Sequence, residues 1–155
     1  MAVEPHTGGI LDKEFPYVAK SDVEGRLVCI LDARSETRHM ELIIQPSRVV
    51  PKHEIHELVM TDDPVAAPRR VFEPRTIDRV AFVCFFLVTR GGLLLVGDTV
   101  EIDGSVVGQV AGFDLTHAPN HMNILVYTTG ERRTGLDLGL ALDQRITFSG
   151  PNASM

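Results

Sequence analysis

Tryptophan is absent from this chain, and only Tyr17 and Tyr127 carry phenols. Single-stranded nucleic acids are commonly held on stacked aromatic faces, so this shortage argues against an aromatic platform for them and for sugars. Net positive charge is lacking as well: 15 basic residues against 21 acidic ones leave −6, with an isoelectric point near 5.4. Such a balance offers no field to condense on phosphates and speaks against nucleic acid as a partner. Lysine is scarce, since Lys13, Lys20 and Lys52 are the only three and the other 12 basic residues are arginine. Long apolar runs are missing too. The longest, residues 80–88, has nine residues, where a membrane-spanning helix needs about 20. No export-type apolar run lies in residues 1–14, and the two cysteines, Cys29 and Cys84, have no CxxC spacing and lie in apolar stretches. Both features predict buried free thiols in a cytoplasmic protein with no membrane partner. Neither GxxxxGK(S/T) nor GxGxxG occurs, no nucleophile elbow is present, and no nicotinamide, flavin or haem signature is visible.

What is present is apolar material for one core: 155 residues, 44% of them hydrophobic. Residues 16–150 read as a single β-barrel domain, with flexible segments at 1–15 and 151–155. Nine prolines and thirteen glycines cut the chain into pieces too short for most amphipathic helices, and β-branched residues dominate the apolar positions. The predicted fold is all-β, a small antiparallel β-barrel of seven or eight short strands with little helix.

The expected strands begin with residues 26–31, which read as a hairpin with 39–45 across a polar loop. Residues 53–60 follow, then a stretch at 61–70 whose Pro64 and Pro68 exclude regular structure, then a short helical turn within 71–78. Residues 80–88 read as a strand buried on both faces. Asp103-Gly104 is a preferred hairpin dipeptide between strands at 99–103 and 105–113, and strands at 122–128 and 145–148 complete the set. Residues 129–135, with Arg132 and Arg133, read as a solvent-facing hairpin tip. The segment 97–112, with its Gly97-Asp98 turn and Asp103-Gly104 hairpin, resembles the strand pairs of small barrels such as the second domain of translation elongation factors. That resemblance implies a barrel and nothing about activity.

Chemistry concentrates in one connection, residues 113–123, where Asp114, Thr116, His117, Asn120, His121 and Asn123 crowd together. Imidazoles titrate near neutrality and serve as general acids or bases, while amides can hold a substrate oxygen. His117, His121 and Asp114 are therefore the expected catalytic residues, with Asn120 and Asn123 binding substrate. The same three also match a 2-His-1-carboxylate set for a divalent metal such as Zn, Fe or Mn. Turn capping by the same residue types is the plainer use of such a segment. His53 and His56 form a second pair whose spacing of three departs from HExxH, and they are the weaker metal candidates. If 53–60 is a strand, His53 and Glu57 share one face and His56 the other.

Five arginines, Arg69, Arg70, Arg75, Arg79 and Arg90, gather around the apolar run. Arg75 and Arg79, which adjoin it, are the candidates for holding an anionic ligand. The resulting expectation is a small-molecule enzyme of non-redox type, a lyase, isomerase or cyclase, acting as a homodimer with a site at the barrel mouth. The alternative is a non-catalytic barrel that binds a metabolite or a partner protein.

Overall fold

Residues 20–69 and 73–150 are described by a computed structural model. They form the strands β1 (Val23–Ser35), β2 (Met40–Leu42), β3 (Ser47–Val50), β4 (Ile55–Thr61), β5 (Arg75–Ile77), β6 (Val80–Arg90), β7 (Gly92–Leu95), β8 (Thr99–Ile102), β9 (Ser105–Asp114), β10 (Asn123–Tyr127) and β11 (Arg145–Ser149), with one 3-10 turn at Pro64–Ala66. The expectations for residues 1–15 and 151–155 lie outside the described residues, and the one for 71–78 lies partly outside. Among the described residues no helix is long and apolar enough to cross a membrane.

Seven strands hydrogen-bond in the order β1-β11-β8-β9-β10-β4-β6, and β6 returns to β1, so the sheet closes into a barrel-like ring. Closure leaves the ring no unpaired edge. The principal core lies within it and draws on every strand, from Leu27 and Leu58 through Phe86, Val100, Phe113 and Ile124 to Phe148. Two short ribbons, β2–β5 and β3–β7, stand apart from the ring. The first covers part of the ring's outer wall and closes a second core of Met40, Leu42, Val59, Ile77, Val80, Ala111 and Leu125.

Local chemistry explains the best-formed pieces. Asp103 and Gly104 both have positive φ, 52° and 81°, as a two-residue type I′ hairpin turn requires, and β8 and β9 pair on either side. The run in β6 is buried on both faces because Cys84, Phe86 and Val88 point into the principal core while Val80 and Phe82 point into the second. Gly108 permits the β9–β10 approach: a Cβ there would sit 2.4 Å from the Tyr127 carbonyl oxygen.

The structure departs from the sequence expectation in five places. β1 does not form a hairpin with the next strand. It runs on through Asp32 to Ser35 because its backbone pairs with β6 as far as Val80, with register shifts after Leu27 and Ile30, while Asp32 and Arg34 face solvent. β2 leaves the ring and pairs with β5, where a helical turn was expected. The ring is not wholly antiparallel, since β10 runs parallel to β4. Cys29 is exposed on β1, and only Cys84 is buried; burial pushes the Cys84 thiol pKa up. Arg132 is buried rather than solvent-facing, pairing with Glu36 and, at 3.8 Å, with Asp62.

Candidate functional site

Strand register brings four side chains into line across the outer wall of the ring. Asp114 on β9 lies opposite Asn123 on β10, Asn123 opposite Glu57 on β4, and Glu57 opposite Phe85 on β6. Alternation sets the face. The next residues inward, Phe113, Ile124, Leu58 and Cys84, belong to the principal core, while Val59 and Leu125, two positions along, belong to the second core under the β2–β5 ribbon. The row thus continues the covered strip of outer wall, and the connection of residues 115–122 folds over it.

Asp114 is buried and splits its carboxylate between two tasks. Oδ1 accepts from the backbone N–H of Thr116 at 2.6 Å and from the Thr116 hydroxyl, an Asx turn that starts the connection. Oδ2 is buried without a hydrogen bond and lies 3.8 Å from Nη2 of Arg38. Arg38 arrives from the segment between β1 and β2, where its backbone N–H donates to the Asp78 carbonyl at 3.0 Å. The same Nη2 sits 3.5 Å from His117 Nε2. Asn123 ties the cluster together when its amide is oriented so that donors meet acceptors: its Nδ2 then donates to Glu57 Oε1 at 3.0 Å and to His121 Nε2 at 3.3 Å, and its Oδ1 accepts from Arg38 Nη2 at 3.1 Å.

His121 Nε2 is also 3.4 Å from Glu57 Oε1, slightly beyond hydrogen-bond reach, as acid–base partners often stand before substrate arrives. Its ring is fixed on three sides. Phe85 meets it edge-on at 5.1 Å, His117 stacks on it at 5.1 Å with planes 29° apart, and the Asn120 amide contacts Nδ1 at 2.9 Å. Glu57 is only 8% exposed. Burial raises its pKa above the ordinary glutamate value, Arg38 and His117 pull it back in part, and Asp114 adds to the rise.

The residues expected from the sequence divide into two groups. Asp114, His117, Asn120, His121 and Asn123 do converge, on the outer wall rather than at the mouth of the ring. His56 meets the connection from the other side of β4: Nδ1 accepts from the Met122 backbone N–H at 3.0 Å, and Nε2 is 2.8 Å from Glu54. It holds the end of the connection in place. His53 lies in an exposed turn with φ of 81° and joins neither pair. Arg75 is buried and spans elements, donating to the carbonyls of Ala111 at 2.8 Å and Val65 at 3.4 Å; burial lowers its pKa, and Arg69 lowers it further. Arg79 is exposed and pairs with Glu36 at 3.3 Å. Neither arginine reaches the histidines. Among the described residues no three His, Cys, Asp or Glu side chains come together in a way that could hold a metal ion. In the metal set expected from the sequence, Asp114 is turned to Thr116 and Arg38 instead.

Arg38 and Glu57 were not assigned to the site from the sequence. Glu57 had a visible face but no visible neighbour, and Arg38 lies in a stretch that reads as plain polar loop. A groove of about 520 Å³ is lined by Asp114 together with Leu42, Ile44, Arg75, Leu115 and Thr116, so Arg75 faces this groove and not the histidines.

The fold and site together define an all-β ring with a buried polar cluster on its outer wall, roofed by one connection. Residues 17–149 match DUF6917, a family of unknown function, and the chain belongs to that family. No curated protein and no solved structure matches it.

Proposed function

We propose that this protein is a small-molecule enzyme of non-redox type that moves protons between substrate atoms, as lyases, isomerases and cyclases do. One observation carries the reading: a buried carboxyl, Glu57, and an imidazole, His121, face each other at 3.4 Å with Asn123 donating to both. A carboxyl whose burial favours the neutral form can give a proton where an ordinary glutamate cannot, and a neighbouring imidazole can take one. Tuned pairs of this kind account for acid and base roles at one pH. Asn120 and His117 hold the imidazole, and Asp114 holds Arg38. His117 remains positioned to meet a substrate oxygen.

Deuterium wash-in tests the reading directly. Wild type is incubated in D2O with a panel of small hydroxy, keto and amino compounds and followed by proton NMR. One or more compounds exchange or rearrange, and Glu57→Gln and His121→Ala each slow that change by about a hundredfold or more. Equal rates in both variants overturn it.

The groove beside Asp114 favours a second reading, a non-catalytic module that binds a metabolite. A compound that is bound but never exchanged, with binding lost in Leu42→Arg and retained in His121→Ala, supports that reading instead.

A further inference from the structure

We propose that the compound handled at this site is a small monocarboxylate whose carboxylate is taken by Arg38 beside His117. The inference rests on the acid–base reading above and names its substrate class.

The guanidinium of Arg38 is fixed but incompletely used. Nη2 serves Asn123, His117 and Asp114, whereas Nε and Nη1 have no hydrogen-bond partner among the described residues. The side chain is 18% exposed, so it is not wholly sealed from solvent. The Nε–H and Nη1–H groups lie on opposite edges of the guanidinium, and each can donate to one oxygen of a carboxylate. Because Asp114 and Asn123 already hold it in place, little rotamer freedom is lost when a ligand arrives.

Charge selects a monoanion. Arg38 is the one arginine in the cluster, and it already faces the buried carboxylate of Asp114. Arg75 and Arg79 are committed elsewhere, to the carbonyls of Ala111 and Val65 and to Glu36. A dianionic phosphate would bring its second charge against the carboxylate of Asp114, with no further permanent cation among the described residues of the cluster to meet it. A carboxylate brings only one. Phe85, edge-on to His121, adds an apolar wall that an organic acid can use and a bare inorganic anion cannot.

The same geometry places the reacting atom. A single amide group, that of Asn123, separates Arg38 from the Glu57–His121 pair. A carboxylate on Arg38 therefore sits a short reach from the acid–base pair, a few bonds' length across the Asn123 amide. Short hydroxy and keto monocarboxylates have that spacing; long-chain acids with a remote reactive group do not.

The test is an NMR titration read on the ring signals of His117 and His121. The probes are short-chain hydroxy and keto monocarboxylates, their primary amides and inorganic phosphate. At least one acid shifts both rings saturably while its amide does not. Arg38→Ala weakens that binding at least tenfold, Arg38→Lys weakens it less, and Glu57→Gln retains it within about threefold. Unperturbed core methyl signals in Arg38→Lys guard against loss of fold. Amides binding as tightly as acids, Arg38→Lys and Arg38→Ala both binding as wild type, phosphate binding more tightly than every acid, or no probe shifting either ring each overturn the proposal. The deuterium experiment stands apart from Arg38. Exchange of an uncharged compound that depends on Glu57 and His121 keeps the acid–base reading and removes the carboxylate, whereas exchange that ignores Glu57 and His121 removes both.

Discussion

Burial holds the proton on Glu57 to higher pH than on a free glutamate, and the nearby Arg38 and His117 offset only part of that effect. Folding is linked to this titration. Between the ordinary glutamate range and the raised native value, the folded chain keeps a proton that the unfolded chain has released. Stability therefore falls as pH rises through that window, and the favourable contribution is fully present only below it. Glu57→Gln removes the ionisation. It is expected to melt higher relative to wild type at about pH 8 than at about pH 4, as thermal unfolding at the two values would show. The same offset at both pH values would mean that burial does not raise the pKa of this carboxyl. Beside it, His56 has a different duty: accepting from the Met122 backbone N–H, it satisfies a donor that burial would otherwise strand.

At the scale of elements, the β2–β5 ribbon is held to the outer wall from within by Arg75. Its guanidinium reaches the Ala111 carbonyl on β9 and the Val65 carbonyl in the 3-10 turn. Arg75→Ala removes two hydrogen bonds to a charged donor and leaves buried carbonyls unpaired, a loss of about 2 kcal/mol. Urea unfolding should show this decrease, with carboxylate binding at His117 and His121 unchanged; a loss of binding without a loss of stability would return Arg75 to a ligand role. Elements with local signals were legible in the sequence: the apolar run of β6, the Asp103-Gly104 turn, and the strand positions of β4, β9, β10 and β11. Partners were not, because pairing depends on distant residues. Nothing local distinguishes β2 as a strand that leaves the ring, and β3 and β7 carry no turn signal strong enough to mark them. Register shifts in β9 also break the alternation, so that Val107, Val110 and Phe113 all face the principal core. The site was half legible for the same reason: the density of groups in residues 114–123 is local, but Arg38 and Glu57 reach it only through tertiary register.

For the whole molecule, the principal core and the outer row are two faces of the same strands. Phe148 on β11 is fully buried against Phe86 at 5.4 Å, on the far side of the wall from His117 and His121. Phe148→Ala is expected to cost about 3–5 kcal/mol, and the dispersed histidine ring signals should vanish at the same denaturant concentration as the core methyl signals. Histidine signals that persist after the core has melted would show that the roof and its row fold separately. Closure of the ring has a further effect on how this surface can change. A sliding strand would turn its member of the row, Asp114, Asn123, Glu57 or Phe85, toward the interior. In a closed ring no strand slides without breaking ladders on both sides. The hydrogen-bond ladder thus serves as an address for each side chain. Insertions in residues 115–122 can reshape the roof, but new chemistry beneath it can arise only by substitution in place.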